Sequence, residues 1–254
     1  MISNKIYLYD GNFSTLMDLI TKLLAFKTKP LNICAKNEYQ PSLLNETIEL
    51  ELDNNFNINK IQISKNIIKT IYYIYLSNNQ NKELIIYYFL LNALKYQDKI
   101  FTMRNLKCVD ASLKISKYVS NENHKLKGFL RFQELENHIL YAEISPTNNV
   151  LELLSIHFKK RLKNEYWIIK DVGRNMYSIY DKKKYYLISG NNINILEIKN
   201  NNQEENIEDL WTTFFNTIGI TERKNKRCQM NFMPKKYWKY MIEMREEYEK
   251  SNNG

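Results

Sequence analysis

The spacing of apolar residues changes near Gly128, and this change limits the folds that the chain can adopt. Before this point apolar residues recur every three or four positions, as Ile67, Ile71 and Tyr75 do, which is the period of an amphipathic helix. Beyond it, short apolar runs are separated by Gly and Lys-Lys turns, which is typical of antiparallel strands. The sequence therefore predicts an α+β fold, with a mostly helical N-terminal half and a sheet in the second half.

The predicted elements follow this division. In the first half we expect strands at 5–9, 32–36 and 47–52, and helices at 13–26, 67–75, 84–94 and 102–123. In the second half we expect an antiparallel sheet of about five strands, at 129–135, 139–145, 166–171, 176–181 and 185–189. One helix, ending near residue 163, is inserted into this sheet, and two closing C-terminal helices are expected at 207–218 and 234–249. The chain is expected to form a single compact domain over 1–254, or two lobes at 1–125 and 126–250, with a polar tail at 251–254.

The chain carries 37 basic and 28 acidic residues, and its net charge of +9 favours anionic partners such as nucleic acid or an acidic membrane surface. Lys, Asn, Ile and Tyr are all abundant, so a biased composition that places lysines on a solvated surface is the alternative explanation. Arginine is rarer, and its planar guanidinium can form two parallel hydrogen bonds to phosphate, which lysine cannot. The better site candidates are therefore the arginines: Arg104, Arg131, Arg161, Arg174, Arg223, Arg227 and Arg245.

Three cysteines, Cys34, Cys108 and Cys228, are too few and too far apart for a disulfide framework, and they indicate a reducing compartment. The N-terminus lacks the apolar region of a signal peptide, and no apolar run approaches the length of a membrane span. We therefore expect a cytoplasmic protein with no membrane partner.

The sequence contains no motif for a nucleotide or metal cofactor. Its six glycines never reach the spacing of a phosphate-binding loop, which argues against a kinase or an ATPase. Its three histidines do not fall at zinc-ligand spacing, and its cysteines could not hold an iron–sulfur cluster. We expect no bound metal and no cofactor, so radical or redox-metal chemistry would have to come from another chain.

Two segments, 124–132 and 222–238, interleave cations with aromatic residues. This mixture lets a protein neutralise phosphates and stack on bases. Taken alone, the lysines of a helix that leads into the first segment are better explained as a solvated face.

In the second segment, Pro234 suits the first position of a helix, so Lys235 and Lys236 would crowd its positive N-terminus. Helix stability does not favour this arrangement, which leads us to expect a phosphate site there, with Tyr237 or Trp238 beside it to stack a base. On this interpretation, charge reversal at the two lysines leaves the thermal stability level or raises it.

Another group of polar residues could do acid–base work. His157 and Arg161 lie one helical turn apart, and Asp171 and Arg174 flank a tight Val-Gly turn. An Asp oriented by Arg, with a His in reach, could transfer protons or clamp a phosphate. The alternative is structural: an ion pair that stabilises the turn, and a partly buried core histidine.

Seven motifs occur in the order seen in one bacterial family: Tyr9–Phe13 (YDGNF), Lys117–Val119 (KYV), His124–Phe132 (HKLKGFLRF), Leu140–Ala142 (LYA), His157–Arg161 (HFKKR), Trp167–Asp171 (WIIKD) and Met233–Tyr240 (MPKKYWKY). On these motifs, nearly the whole chain resembles the "probable DNA metabolism protein" family, an uncharacterised domain of unknown function. Members of that family are encoded beside a radical SAM protein assigned to DNA repair. In some members the domain is fused to a uracil-DNA-glycosylase-like domain.

The resemblance implies a DNA-binding role, with a radical SAM or glycosylase-type protein as partner. The nucleic-acid-binding candidates are His124, Lys127, Arg131, Arg161, Arg223, Arg227, Lys235, Lys236 and Trp238. The candidates for catalysis are Asp171, His157 and Arg174.

The sequence therefore leaves three hypotheses for the function. The leading hypothesis is a DNA-binding accessory protein of a DNA repair or base-modification system, which presents DNA, single-stranded or damaged, to its catalytic partner. The second is a stand-alone DNA-processing enzyme, nuclease-like or glycosylase-like, that uses Asp171 and His157. The third is a protein-interaction adaptor whose positive charge reflects composition alone.

Overall fold

The computed structural model describes residues 5–41, 45–58, 61–135, 138–189 and 230–252. The chain divides into two compact units, residues 1–120 and 121–254. No helix in these described ranges is long and apolar enough to cross a membrane.

The first unit is built on a small parallel sheet. Its strands are β1 (Lys5–Tyr9), β2 (Asn32–Ala35) and β3 (Glu46–Glu49), in the order β2-β1-β3. Its helices are α1 (Phe13–Ala25), α2 (Lys65–Tyr75), α3 (Lys82–Tyr96) and the first part of α4 (Lys107–Phe129). As the central strand, β1 is buried from Ile6 to Tyr9, and its Tyr9 hydroxyl donates to the buried Glu83 carboxylate at 2.9 Å.

A sharp turn joins β1 to α1. Gly11 adopts φ +85°, in the left-handed region that residues with a Cβ avoid. Asn12 then caps the helix, because its Oδ1 accepts the Thr15 N–H at 2.9 Å.

The second unit contains a five-stranded sheet in the order β4-β5-β6-β7-β8. Its strands are β4 (Gln133–Leu135), β5 (Ile139–Ile144), β6 (Tyr166–Asp171), β7 (Met176–Tyr180) and β8 (Tyr185–Ser189). The α+β class and the five strands are confirmed, but the prediction of an entirely antiparallel sheet was wrong, because β5 and β6 pair in parallel. The physical reason is the inserted helix, α5 (Leu151–Arg161): a chain that leaves one strand and returns through a helix starts the next strand in the same direction.

One face of this sheet is covered by α5. Leu154 and Phe158 are buried, and the Ser155 hydroxyl donates to Ser178 Oγ on β7 at 2.6 Å. Trp167 on β6 is fully buried and its ring stacks on Tyr180, with 5.1 Å between centroids.

Two helix predictions need correction. The helix predicted to end at residue 123 continues to Phe129, so His124 and Lys127 lie on α4. Glycine weakens a helix without forbidding it, and the buried Leu126 and Leu130 continue the apolar stripe past Gly128. The helix predicted at 234–249 is two short 3₁₀ turns, Lys235–Tyr240 and Ile242–Met244, followed by α6 (Arg245–Asn252). The other closing helix, predicted at 207–218, lies outside the described residues.

Two of the glycines, Gly11 and Gly128, give a matched test of backbone strain. An added Cβ at Gly11 would meet Asn37 Oδ1 only at an ordinary 3.6 Å, so the cost of Gly11→Ala is the left-handed backbone, about 1 kcal/mol. Gly128 lies in α4, where an added Cβ meets nothing within 4 Å, and Gly128→Ala should stabilise by about 0.5–1 kcal/mol. Urea denaturation measures both, and a shift in the same direction for the two variants would contradict this account.

Candidate functional site

The chain just beyond α4 packs against α5 in the second unit. Phe132, just beyond α4, packs edge-on against Phe158 of α5, with 5.1 Å between ring centroids. This packing brings Lys127 of α4 and Arg161 of α5 close to His157. Burial lowers the pKa of His157, and the positive charges of Lys127 and Arg161 lower it further. The imidazole is therefore held in its neutral form beside two cations.

Neither cation in this group has an acidic partner in the ranges that the structure describes. No carboxylate lies within 4.0 Å of Lys127 or Arg161 there. The Nε2 atom of His157 is buried and, within the same ranges, has no hydrogen-bond partner. We call Lys127, His157 and Arg161 the α4–α5 cationic cluster. An anion placed there would offset the repulsion between the two cations.

Two further candidates from the first basic segment lie near this cluster in sequence. His124 is exposed on α4. Arg131 is half-buried, and its Nη1 donates to the Gly128 carbonyl at 2.7 Å and to that of Leu130 at 3.3 Å. Arg131 thus satisfies carbonyl groups that the end of α4 would otherwise leave open. Part of its hydrogen-bonding capacity already serves the fold.

A buried carboxylate outside every sequence motif joins three segments of this unit. Glu122 lies on α4 with its side chain 3% exposed, and five hydrogen bonds reach its two oxygens. Three come from the loop before α5: the backbone N–H of Thr147 at 3.0 Å, and the backbone and side-chain N–H groups of Asn148 at 2.8 and 2.6 Å. The other two come from the C-terminal segment, where Lys236 Nζ donates at 2.6 Å and the Tyr237 hydroxyl at 3.0 Å.

These donors decide the ionisation of Glu122. Burial alone would raise its pKa, but the hydrogen bonds from Lys236 and from the backbone of Thr147 and Asn148 outweigh it. The pKa falls to about 2. Glu122 is therefore a carboxylate at physiological pH, and Lys236 neutralises it.

This arrangement changes the interpretation of the second basic segment. The first residues after Pro234 form a short 3₁₀ helix, and Lys236 also donates to Thr147 Oγ1 at 2.8 Å. Trp238 is 4% exposed, and its indole N–H donates to the Met233 carbonyl at 2.8 Å. A ring so buried is unsuited to stacking on a base, and Lys236 is engaged with a buried acid. Lys235 is exposed, with its Nζ 5.8 Å from the centroid of the Trp238 ring.

The group proposed for acid–base work has a structural role in the fold. Asp171 is fully buried and accepts from Arg174 Nη1 at 3.0 Å and from its backbone N–H at 3.2 Å. The same guanidinium donates to the carbonyls of Pro146 at 3.1 Å and Thr147 at 2.7 Å. Burial raises the pKa of Asp171, and the Arg174 charge partly offsets this. These contacts favour the turn-stabilising ion pair.

The loop before α5 is consequently fixed from two directions. Glu122 accepts the N–H of Thr147, while Arg174 donates to its carbonyl group. No described contact joins Asp171 to His157, so the structure does not bring the three catalytic candidates together. Arg223 and Arg227 lie outside the described residues. No group of three or more acidic, His or Cys side chains in the described ranges could hold a metal ion.

Comparison with known proteins gives a match to one family. Residues 80–243, more than half of the chain, match DUF4130, a domain of unknown function. No curated protein and no solved structure matches the chain.

Two neighbouring lysines provide a test of the Glu122 network. Lys236→Met removes the cation from a buried carboxylate and should lower the free energy of unfolding by about 3 kcal/mol. Lys235→Met, which alters an exposed side chain, should change it by less than about 0.5 kcal/mol. Urea denaturation at neutral pH distinguishes the two. The absence of a loss at either lysine would contradict the network and support the helix-terminus interpretation.

The depressed pKa of Glu122 also predicts a pH dependence. A carboxyl group with a folded-state pKa of about 2 and an ordinary value of 4.5 stabilises the fold fully above 4.5, and this contribution disappears as the pH falls through about 2. The stability difference between wild type and Glu122→Gln should therefore shrink by about 2 kcal/mol between about pH 7 and about pH 3. A difference independent of pH would show that Glu122 titrates normally in the folded protein.

Proposed function

The chain belongs to the DUF4130 family of domains of unknown function, and on that premise we propose that it binds DNA through the α4–α5 cationic cluster. In this proposal it is the accessory protein of a DNA repair or base-modification system. It presents DNA to a catalytic partner, of the radical SAM or glycosylase type that the family resemblance implies.

The cationic cluster is the observation that carries the proposal. Lys127 and Arg161 come from different helices and have no acidic partner in the described ranges. Both lie near His157, whose buried Nε2 has no hydrogen-bond partner there. A phosphate group fits this arrangement, because it supplies negative charge to two cations that lie beside a neutral imidazole. Arg161 can also bind two phosphate oxygens at once.

The charge of the whole chain supports the same ligand. A net charge of +9 attracts a polyanion from a distance and raises the rate of encounter. The cluster then gives this general attraction a fixed position. Contacts of this kind hold the DNA backbone without reading its sequence, as expected of a protein that presents DNA to an enzyme.

The contacts of Asp171 reduce support for a stand-alone enzyme. Its carboxylate is engaged by Arg174, and the charges that shift the pKa of His157 are the positive ones of Lys127 and Arg161. A general acid–base pair requires the two groups within hydrogen-bond reach of a common substrate. The accessory role requires only phosphate contacts from this chain.

The cluster predicts which charges matter for binding. Replacing Lys127 and Arg161 with Gln should weaken binding of a labelled oligonucleotide by about tenfold or more at low salt. It should also reduce the salt slope by about 1.4 on single strands, the contribution of two lost phosphate contacts. Fluorescence anisotropy over a series of salt concentrations measures both quantities.

The matched control is Lys95→Gln with Lys99→Gln, which removes two exposed lysines of the first unit. An equal loss in the control would mean that binding depends on diffuse charge and not on the cluster. If the wild-type protein does not bind DNA at low salt, the proposed function fails and the adaptor hypothesis replaces it.

A further inference from the structure

The turn between β7 and β8 presents three consecutive lysines, Lys182, Lys183 and Lys184, all exposed. Asp181 fixes this turn, because its Oδ1 accepts the N–H groups of Lys183 at 2.9 Å and Lys184 at 2.7 Å. These bonds use backbone donors, so the turn does not require lysine side chains. Lys182 adopts φ +69°, a conformation that Gly or Asn would hold with less strain. The folding of the hairpin therefore does not account for its three positive charges.

Two exposed tyrosines lie beside these lysines on one face of the sheet. Tyr166 at the start of β6 is 47% exposed and Tyr186 on β8 is 39% exposed. They share a face because Tyr186 pairs with Ile179, Ile179 pairs with Ile168, and Ile168 is two residues from Tyr166.

Each of these rings has a lysine next to it. Lys182 Nζ lies 4.3 Å from the centroid of the Tyr166 ring, and Lys184 Nζ lies 4.8 Å from that of Tyr186. The Tyr186 hydroxyl donates to Asp181 Oδ2 at 3.2 Å, which orients its ring. Asp181 is thus engaged by the turn and by Tyr186. No carboxylate lies within 4.0 Å of the three lysines in the parts of the chain described.

We propose that this surface, Tyr166, Lys182, Lys183, Lys184 and Tyr186, binds single-stranded DNA. Exposed aromatic rings flanked by ammonium groups match the alternating chemistry of an unpaired strand, whose bases stack on the rings while its phosphates contact the lysines. In a duplex the base faces are covered by neighbouring pairs, so the two rings would contribute nothing. The surface therefore selects strand state, a property that the cationic cluster alone does not determine.

The topology of the second unit places this surface and the cationic cluster at one end of the sheet. The Tyr180 hydroxyl, at the end of β7, donates to the Lys163 carbonyl at 3.4 Å, two residues beyond Arg161. The lysine turn begins at the residue after Tyr180, so Arg161 and the turn lie at the same end. α5 covers the opposite face of the sheet, so one strand of DNA would contact both sites by passing around this end. This inference rests on the proposed function and adds the form of DNA that is bound.

The test compares three variants of the full chain by fluorescence anisotropy with labelled oligo(dT). Tyr166→Leu with Tyr186→Leu should weaken binding by about tenfold or more and leave the salt slope unchanged, because stacking contributes without releasing counterions. Lys182→Gln with Lys183→Gln and Lys184→Gln should weaken binding and reduce the salt slope by about 2, since three contacts each contribute about 0.7. Lys127→Gln with Arg161→Gln measures the contribution of the cationic cluster to binding.

The control variants change exposed residues of the same types in the first unit. Tyr88→Leu with Tyr118→Leu removes two exposed tyrosines of the first unit, and Lys95→Gln, Lys99→Gln and Lys107→Gln together remove three exposed lysines there. Neither control should alter binding by more than about twofold, and urea denaturation should show that every variant is folded.

The outcomes separate the two proposals. Wild-type affinity in the tyrosine variant, with a loss in the Lys127 and Arg161 variant, would overturn the hairpin site and leave the proposed function intact. Binding of a duplex as tightly as of oligo(dT), or tighter binding of oligo(U), would overturn the assignment to single-stranded DNA. Absence of binding by the wild-type protein would remove both proposals.

Discussion

The second unit depends most on the hydrogen bonds to the buried carboxylate of Glu122. Its five hydrogen bonds join a helix, the loop before α5 and the C-terminal segment, three pieces that are far apart in sequence. A charge inside a protein is costly unless it is fully paired, so the three pieces hold one arrangement or leave the carboxylate unsatisfied. Arg174 reinforces the loop from the other side. The α4–α5 cationic cluster is thus built on a unit whose adjoining loop is fixed by charge.

The sequence predicted the bounds of a strand well wherever neighbouring residues alone define them. β1, β6 and β8 have the bounds predicted for them, because alternating apolar residues between clear turns define a strand without reference to the rest of the chain. The parallel pairing of β5 and β6 is not a local property, and it depends on where the chain returns after α5. The end of α4 was predicted too early, although the buried Leu126 and Leu130 continue the apolar face of the helix.

For the same reason, only part of the candidate site could be predicted from the sequence. The basic segment on α4 and the motif at His157–Arg161 were selected from sequence, and the structure brings Lys127, His157 and Arg161 together. Glu122 was missed because a single acidic residue does not form a recognisable motif. The available signal was its place in the stripe of Val119, Leu126 and Leu130, where a polar residue implies a buried partner. The buried partner of Lys236 could not be predicted, since no pattern in the sequence connects residues 122 and 236.

The central position of β1 has a consequence for aggregation. In the order β2-β1-β3, both edges of β1 are hydrogen-bonded to strands that follow it in the chain. Until Asn32–Ala35 and Glu46–Glu49 have been synthesised and paired, the apolar run Ile6–Tyr9 has two open edges, and unpaired strands of this kind associate between chains. Lys5 and Asp10 flank this run with opposite charges. Charged residues at the ends of an apolar strand are a common means of limiting such association, and both ends of this run carry one.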